Sequence, residues 1–399
     1  MALKSNWKKI RKFLNDIHLW LGLGSGLILF IVCLTGTIYT FHSEIDEWFN
    51  RDRYQVEVPA TPPLSVEELS VSLGKQVDGE VASVTISPSA DITYQFSVRK
   101  EGERRGTTFL VNQYTGEVLG DTKSGTSEFF MVMFRLHRWL LMDTSVGRPI
   151  VGWSTVIFVF LILTGLVIWV PQKVKSWRQG LKIKWSGNWK RINHDLHNAL
   201  GLYTAFFLLI MALTGLQWSF EWYRTGLQSM LGVEQPARNG GPGAGGEAQK
   251  GKVDGDSQTE PPALGTQLSI ASIIQSVDQE LPYEGIYRID IPNEKSTNAK
   301  VSKYHTGFFA SPASDNISLN AYTGEIESIE VFSEKPFNER VARSIKALHV
   351  GDVFGTFSKM IYFISCLIAT SLPVTGTLIW INKLKKKSKK QRKLKATAA

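Results

Sequence analysis

The sequence predicts an α-helical membrane protein with α+β extramembrane domains, its four transmembrane helices arranged as two parallel repeats. Three observations carry that class. Residues 19–41, 150–170, 199–220 and 360–381 contain no Asp, Glu, Lys or Arg, and each has the roughly 20 residues that cross about 30 Å of hydrocarbon. Charge is sorted around them: residues 1–15 carry five Lys/Arg, 171–193 carry seven and 382–399 carry nine, all without an acid, whereas 44–134 and 220–356 are acidic overall. Basic flanks stay on the cytoplasmic side, so both termini and the middle loop are expected inside and the two long loops outside. The third observation is internal repetition.

The repeat is legible residue by residue. Asp16-Ile17-His18 and Leu21-Gly22-Leu23 return as Asp195-Leu196-His197 and Leu200-Gly201-Leu202, and each copy reaches a Thr-Gly pair, Thr35-Gly36 and Thr214-Gly215. Leu136-His137 precedes Thr164-Gly165, and Leu348-His349 precedes Thr375-Gly376. Between these segments Asn112-Gln113-Tyr114-Thr115-Gly116-Glu117 is echoed by Asn320-Ala321-Tyr322-Thr323-Gly324-Glu325.

Taken in order, the chain reads as a basic N-terminal segment 1–18, a first span 19–41, an external domain 44–127, an interfacial helix and turn 128–149, and a second span 150–170. A basic loop 171–193 leads to a third span 199–220, a Gly- and Pro-rich linker 239–265, a second external domain 266–336, an interfacial helix and turn 337–356, a fourth span 360–381 and a basic tail 382–399. Alternating apolar residues predict strands around 82–86, 94–98 and 107–111, after a helix from Ser65. The second copy predicts strands around 287–291, 300–304 and 317–319, after a helix near 270–279. Gly116 and Gly324 suit turn positions with positive φ. Asp16 and Asp195 are expected to cap or flank helix starts.

Several function classes fall away. The basic charge follows topology, so nucleic-acid binding is not expected. The first span is longer than a signal-peptide core and its counterpart at 199–220 is internal, so it is expected to be retained. Cys33 and Cys366 both fall inside spans and there is no Cys-x-x-Cys-His, which leaves no disulfide framework in the external domains and no covalent haem attachment.

Histidine within or beside a span is expensive unless satisfied, and four stand at corresponding positions: His18, His197, His137 and His349. Parallel halves bring His18 opposite His197 near the inner surface and His137 opposite His349 near the outer one. Two imidazoles on facing helices can ligate a planar iron macrocycle if small residues leave room. His18, Gly22 and Gly26 share one helical face, and His197, Gly201 and Ala205 repeat it. The expected cofactor is two non-covalent haem b groups with bis-His iron; the alternative is a small-residue helix contact of the kind common in membranes, which requires no cofactor. Zinc, which wants a closed ligand set at one place, fits the split pairs poorly. His42, His194 and His305 lack repeat partners; His194 is the substitute ligand for the inner pair and His42 for the outer.

With those motifs stated, the chain resembles the PepSY-associated transmembrane family and, within it, bacterial inner-membrane di-haem ferric-siderophore reductases of the ferrioxamine reductase type. The resemblance implies a multi-pass inner-membrane protein with two periplasmic PepSY-type domains that passes electrons outward, reduces a ferric siderophore and releases Fe(II). It also implies a separate electron donor, a quinol or a cytoplasmic flavin reductase. Two other readings remain: a di-haem cytochrome with another acceptor, and a non-enzymatic membrane anchor displaying PepSY-type binding or inhibitory domains.

Overall fold

The computed structural model describes residues 2–100, 102, 106–170, 177–233, 267–291 and 297–397, so the linker 239–265 and part of the basic loop 171–193 lie outside the described residues. The chain forms two compact units: one of residues 1–45, 125–227 and 344–399, the other of 46–124 and 228–343.

The first unit is helical. Ala2–Tyr39, Thr144–Trp169, Trp189–Ser219 and Gly355–Thr397 are four helices long and apolar enough to cross a membrane. They pack in the cyclic order first, second, third, fourth, which leaves the first and third diagonally opposed. Large apolar side chains such as Leu27, Phe160, Phe206 and Leu367 are exposed on the outside of this ring, while Ser25, Thr35, Thr204 and Ser365 are buried within it. Small residues let helices approach closely where lipid supplies no hydrophobic drive. The buried hydroxyls stay satisfied by donating back along their own helix, Ser25 to the Leu21 carbonyl at 2.8 Å and Thr204 to that of Leu200 at 2.9 Å.

The helix ends depart from expectation. The first helix starts at Ala2, not at residue 19, so it absorbs the basic N-terminal segment, and the fourth continues through the basic tail to Thr397. Charge ends a hydrophobic span without ending a helix, because Lys, Arg and Leu are all good helix formers. Asp16 and Asp195 accordingly cap nothing: both lie within helices, and the third helix is capped by Asn188, whose side chain accepts from Arg191 N–H. The interfacial helix expected at 128–142 runs Gly125–Trp139 and stops at two left-handed residues, Leu140 (φ 56) and Leu141 (φ 59). The one expected at 337–350 is two helices, Phe337–Arg343 and Ile345–Val350, of which only the second belongs to the helical unit. It ends at Gly351, left-handed at φ 87, where a Cβ would collide with Tyr362.

The second unit carries an antiparallel sheet of eight strands: β1 (Glu80–Ile86), β2 (Tyr94–Arg99), β3 (Thr107–Val111), β4 (Val118–Asp121), β5 (Gly285–Asp290), β6 (Asn298–His305), β7 (Ser314–Asn320) and β8 (Ile326–Glu330). Their order is β4-β3-β2-β1-β5-β6-β7-β8. Two separate external domains were expected, yet the two strand sets share one sheet through the β1–β5 pair, with Val84 opposite Ile289 and Thr85 opposite Arg288. Either four-stranded set alone would leave β1 or β5 as an open edge of unpaired amides. Joining them satisfies both edges. The short outer strands β4 and β8 escaped the sequence reading, because neither alternates clearly; β8 is Ile-Glu-Ser-Ile-Glu and mostly exposed.

Two helices, Val66–Gln76 and Ile270–Glu280, contribute to the same core as the sheet. Ser65 caps the first in a reciprocal capping box with Glu68, and Ser269 caps the second. Leu69, Leu73, Ile273 and Val277 are fully enclosed with Val84, Phe96, Ile289 and Val301. The Tyr-Thr-Gly-Glu turns adopt the positive φ their spacing asks for, 73 at Gly116 and 75 at Gly324, and Asn112 and Asn320 accept from the two following turn amides.

One core position is charged. Lys303 is 1% exposed, two residues beyond Val301 in β6 as Val98 is beyond Phe96 in β2. Its ammonium donates to Asp278 at 2.6 Å and to the Leu281 carbonyl at 2.7 Å, over the rings of Tyr283 and Tyr287. Burial and the Asp315 carboxylate push the Tyr283 phenol far up, and burial with Asp278 does the same to Tyr287.

Two outcomes follow for this unit. Ile289→Ala should cost about 2–4 kcal/mol and raise amide hydrogen exchange in β1 as well as β5; loss of protection confined to β5–β8 would mean that the two strand sets fold independently. Asp278→Ala, which strips the partner from a buried ammonium, should cost about 3 kcal/mol or more, whereas Lys303→Met should change stability by about 1 kcal/mol or less, both read from urea denaturation.

Candidate functional site

The four repeated histidines meet as two pairs. His18 and His197, from the first and third helices, have ring centroids 6.4 Å apart with planes crossed at 88°. His137 and His349, from the helices Gly125–Trp139 and Ile345–Val350, stand 6.3 Å apart at 60°.

Each imidazole lies against the glycine of a Thr-Gly pair on a neighbouring helix. His137 Nδ1 donates to the Val32 carbonyl at 2.8 Å and His349 Nδ1 to that of Met211 at 2.9 Å. His18 Nδ1 lies 2.9 Å from Thr164 Oγ1, with the Leu161 carbonyl beside the ring; His197 Nδ1 lies 2.9 Å from Thr375 Oγ1, with that of Leu372 beside it. Val32, Leu161, Met211 and Leu372 are each four residues before a glycine: Gly36, Gly165, Gly215 and Gly376. A Cβ at those glycines would sit 3.0, 3.3, 3.1 and 3.3 Å from the Cε1 of His137, His18, His349 and His197. Glycine is what lets a ring lie against the helix and reach a carbonyl already used inside it, since a carbonyl oxygen has two lone pairs. The threonine hydroxyls bond backward, Thr164 to the Phe160 carbonyl and Thr214 to that of Ile210, so toward the ring they present an oxygen that accepts.

With Nδ1 donating, each ring turns an unprotonated Nε2 to whatever it binds. A metal–imidazole bond is about 2.0–2.1 Å and a ring nitrogen lies roughly 1.1 Å from its ring centre, so one ion between two opposed imidazoles sets the centroids about 6.3 Å apart. Both pairs have that separation. Among the described residues no group of three or more His, Cys, Asp or Glu is arranged around a metal position.

A cavity of about 690 Å³ opens at the first pair, bordered by His18 and His197 and by Gly22, Gly26, Gly201 and Ala205. Its volume lies within the about 300–1,000 Å³ of small-molecule and cofactor sites. Lys8, Arg11, Lys12 and Lys383 add four cations to its lining.

The remaining histidines stand apart from both pairs. His194 borders the cavity but is half exposed, beside Asn198 and 3.7 Å from Asp195. His42 stacks on Tyr39 at 4.0 Å and bonds the Tyr39 carbonyl. His305 belongs to the other unit, where it stacks on Tyr283 at 3.9 Å. None has a Thr-Gly socket.

A family model described as the PepSY-associated TM region matches residues 16–383. The chain belongs to the PepSY-associated transmembrane family. That span runs from two residues before His18 to the end of the fourth apolar segment, so it includes all four socketed histidines. No curated protein matches the sequence.

The sockets themselves were missed in the sequence, where Thr-Gly served only to align the repeats. The available signal was that a Thr-Gly pair occurs once in each of the four apolar spans.

Gly165→Val should force the His18 ring off Leu161 and Thr164 and leave His349 in place. In protein labelled with ¹⁵N-histidine, the hydrogen-bonded Nδ1 signal of His18 should be lost alone; an unchanged spectrum would show that the glycine does not define the socket.

Proposed function

We propose that this PepSY-associated protein is a transmembrane di-haem b oxidoreductase of the bacterial inner membrane that carries electrons outward to an Fe(III)-siderophore and releases Fe(II). The observation that carries the reading is the pair of cross-axis imidazole couples, each at the separation one iron needs and each with Nδ1 committed elsewhere. In this reading the chain is two parallel repeats about an axis along the membrane normal, with both termini cytoplasmic and the sheet unit periplasmic.

The residues present fit a haem. His18 with His197 would hold the iron of one such group, and His137 with His349 that of a second. The glycines and Ala205 of the cavity give a flat group room between helices, and Lys8, Lys12, Arg11 and Lys383 match the carboxylates such a macrocycle carries. Bound there, haem supplies a one-electron Fe(III)/Fe(II) couple. The chain's own work is to hold the proton at each Nδ1, which fixes ring orientation and ligand basicity, and to exclude water with the apolar helices. Hydroxamate and catecholate chelators grip Fe(III), the harder ion, far better than Fe(II), so one electron loosens the metal without destroying the chelator. A soluble or quinol donor would deliver that electron from the cytoplasmic side.

Purified protein should contain about two haems per chain by the pyridine haemochrome assay, and His18→Ala or His137→Ala should each lower that to about one. Haem-free protein would leave the membrane-anchored binding module as the reading. Mixing the dithionite-reduced protein anaerobically with a ferric hydroxamate siderophore should reoxidise its haem; haem that stays reduced with hydroxamate and catecholate chelates alike would point to a different acceptor.

A further inference from the structure

The chain has two cysteines, Cys33 and Cys366, on the first and fourth long helices. Although 333 residues apart in sequence, the two residues touch: the Cys366 thiol donates to the Cys33 carbonyl at 3.3 Å. Their position is specific. Cys33 borders the cavity of the His18–His197 pair and directly follows Val32, whose carbonyl holds His137. Cys366 Sγ lies 3.6 Å from where a Cβ of Gly36 would be, a point itself 3.0 Å from the His137 ring. The thiols therefore occupy the layer between the two histidine pairs, and the absent side chain at Gly36 opens space around Cys366.

We propose that Cys33 and Cys366 are an oxidisable dithiol that closes to a disulfide and staples the first helix to the fourth. A disulfide needs its two sulfurs to close to about 2.05 Å with Cβ atoms about 3.5–4.5 Å apart. A thiol that already bonds the other cysteine's own carbonyl across two packed helices reaches that by side-chain rotation. With hydrogen peroxide as oxidant the step balances: two thiols lose two electrons and two protons, one S–S bond forms, the O–O bond breaks, and two waters leave. The link joins the two halves of the sequence beside the carbonyl that orients His137. It is independent of what the histidines bind, so its test stands apart from the haem reading.

The test uses the full chain with a protease site inserted within residues 239–265. After peroxide treatment, blocking of residual thiols with N-ethylmaleimide and cleavage, the two fragments should stay joined on a non-reducing denaturing gel in more than half of the protein and separate with dithiothreitol. Cys33→Ser and Cys366→Ser should each give separated fragments. Wild-type fragments that separate after oxidation overturn the proposal, whether mass spectrometry then finds both thiols free or finds them oxidised singly to sulfinic acid.

Discussion

An imidazole inside an apolar bundle must have its ring N–H satisfied, and the helical unit is organised around that requirement. Leaving a buried donor unpaired costs about 1–3 kcal/mol, and no water lies in the hydrocarbon to help. Helix carbonyls are the abundant acceptors, but each is normally covered by the side chain four residues on. Removing that side chain at Gly36, Gly165, Gly215 and Gly376 uncovers the second lone pair of four carbonyls. The preceding threonine adds a hydroxyl oxygen beside His18 and His197. Once a ring is seated, its Nδ1 is committed and its Nε2 is left free of the proton. The geometry of each pair is thus a consequence of backbone exposure on a neighbouring helix.

The sheet unit solves a different problem with the same economy of partners. Here the exposed groups would be the edges of β1 and β5, and pairing them about Val84 and Ile289 leaves only the short β4 and β8 as edges. The two strand sets are not chemically equal, however. A rung that holds Val98 in one holds Lys303 in the other, and that ammonium is stabilised by Asp278, the Leu281 carbonyl and two phenol rings. A buried ion pair contributes little net stability over an apolar one. The ammonium's fixed set of partners ties the end of the Ile270–Glu280 helix to β6, which a valine could not do.

How much of this was legible in the sequence depends on whether a feature is periodic or relational. The existence of the four apolar spans, the helices from Ser65 and near 270–279 and the strands with Val84 and Val301 follows from local pattern, and the structure has each of them. His18, His197, His137 and His349 were found by repetition. The sockets were not, because the acceptor is a backbone atom and the permissive residue is the one with no side chain; neither carries a chemical signature. The single sheet was equally invisible, since β1 and β5 read alike whether they end a domain or join one. Helix ends were misjudged because hydropathy marks where lipid stops, and Lys-rich sequence continues a helix past that point.

The sockets also separate what one half of the sequence can do from what needs both. His18 is seated by Thr164-Gly165 and His137 by Gly36, all in the first half; His197 is seated by Thr375-Gly376 and His349 by Thr214-Gly215, all in the second. Yet each pair takes one ring from each half. A single half would orient both of its histidines and complete neither pair. Both pairs therefore belong to the interface between halves, and a shift of one half against the other alters ring separations while leaving the Nδ1 contacts within each half intact. Cys33 and Cys366 sit across that same interface, one from each half, which makes their contact a measure of the register on which both pairs depend.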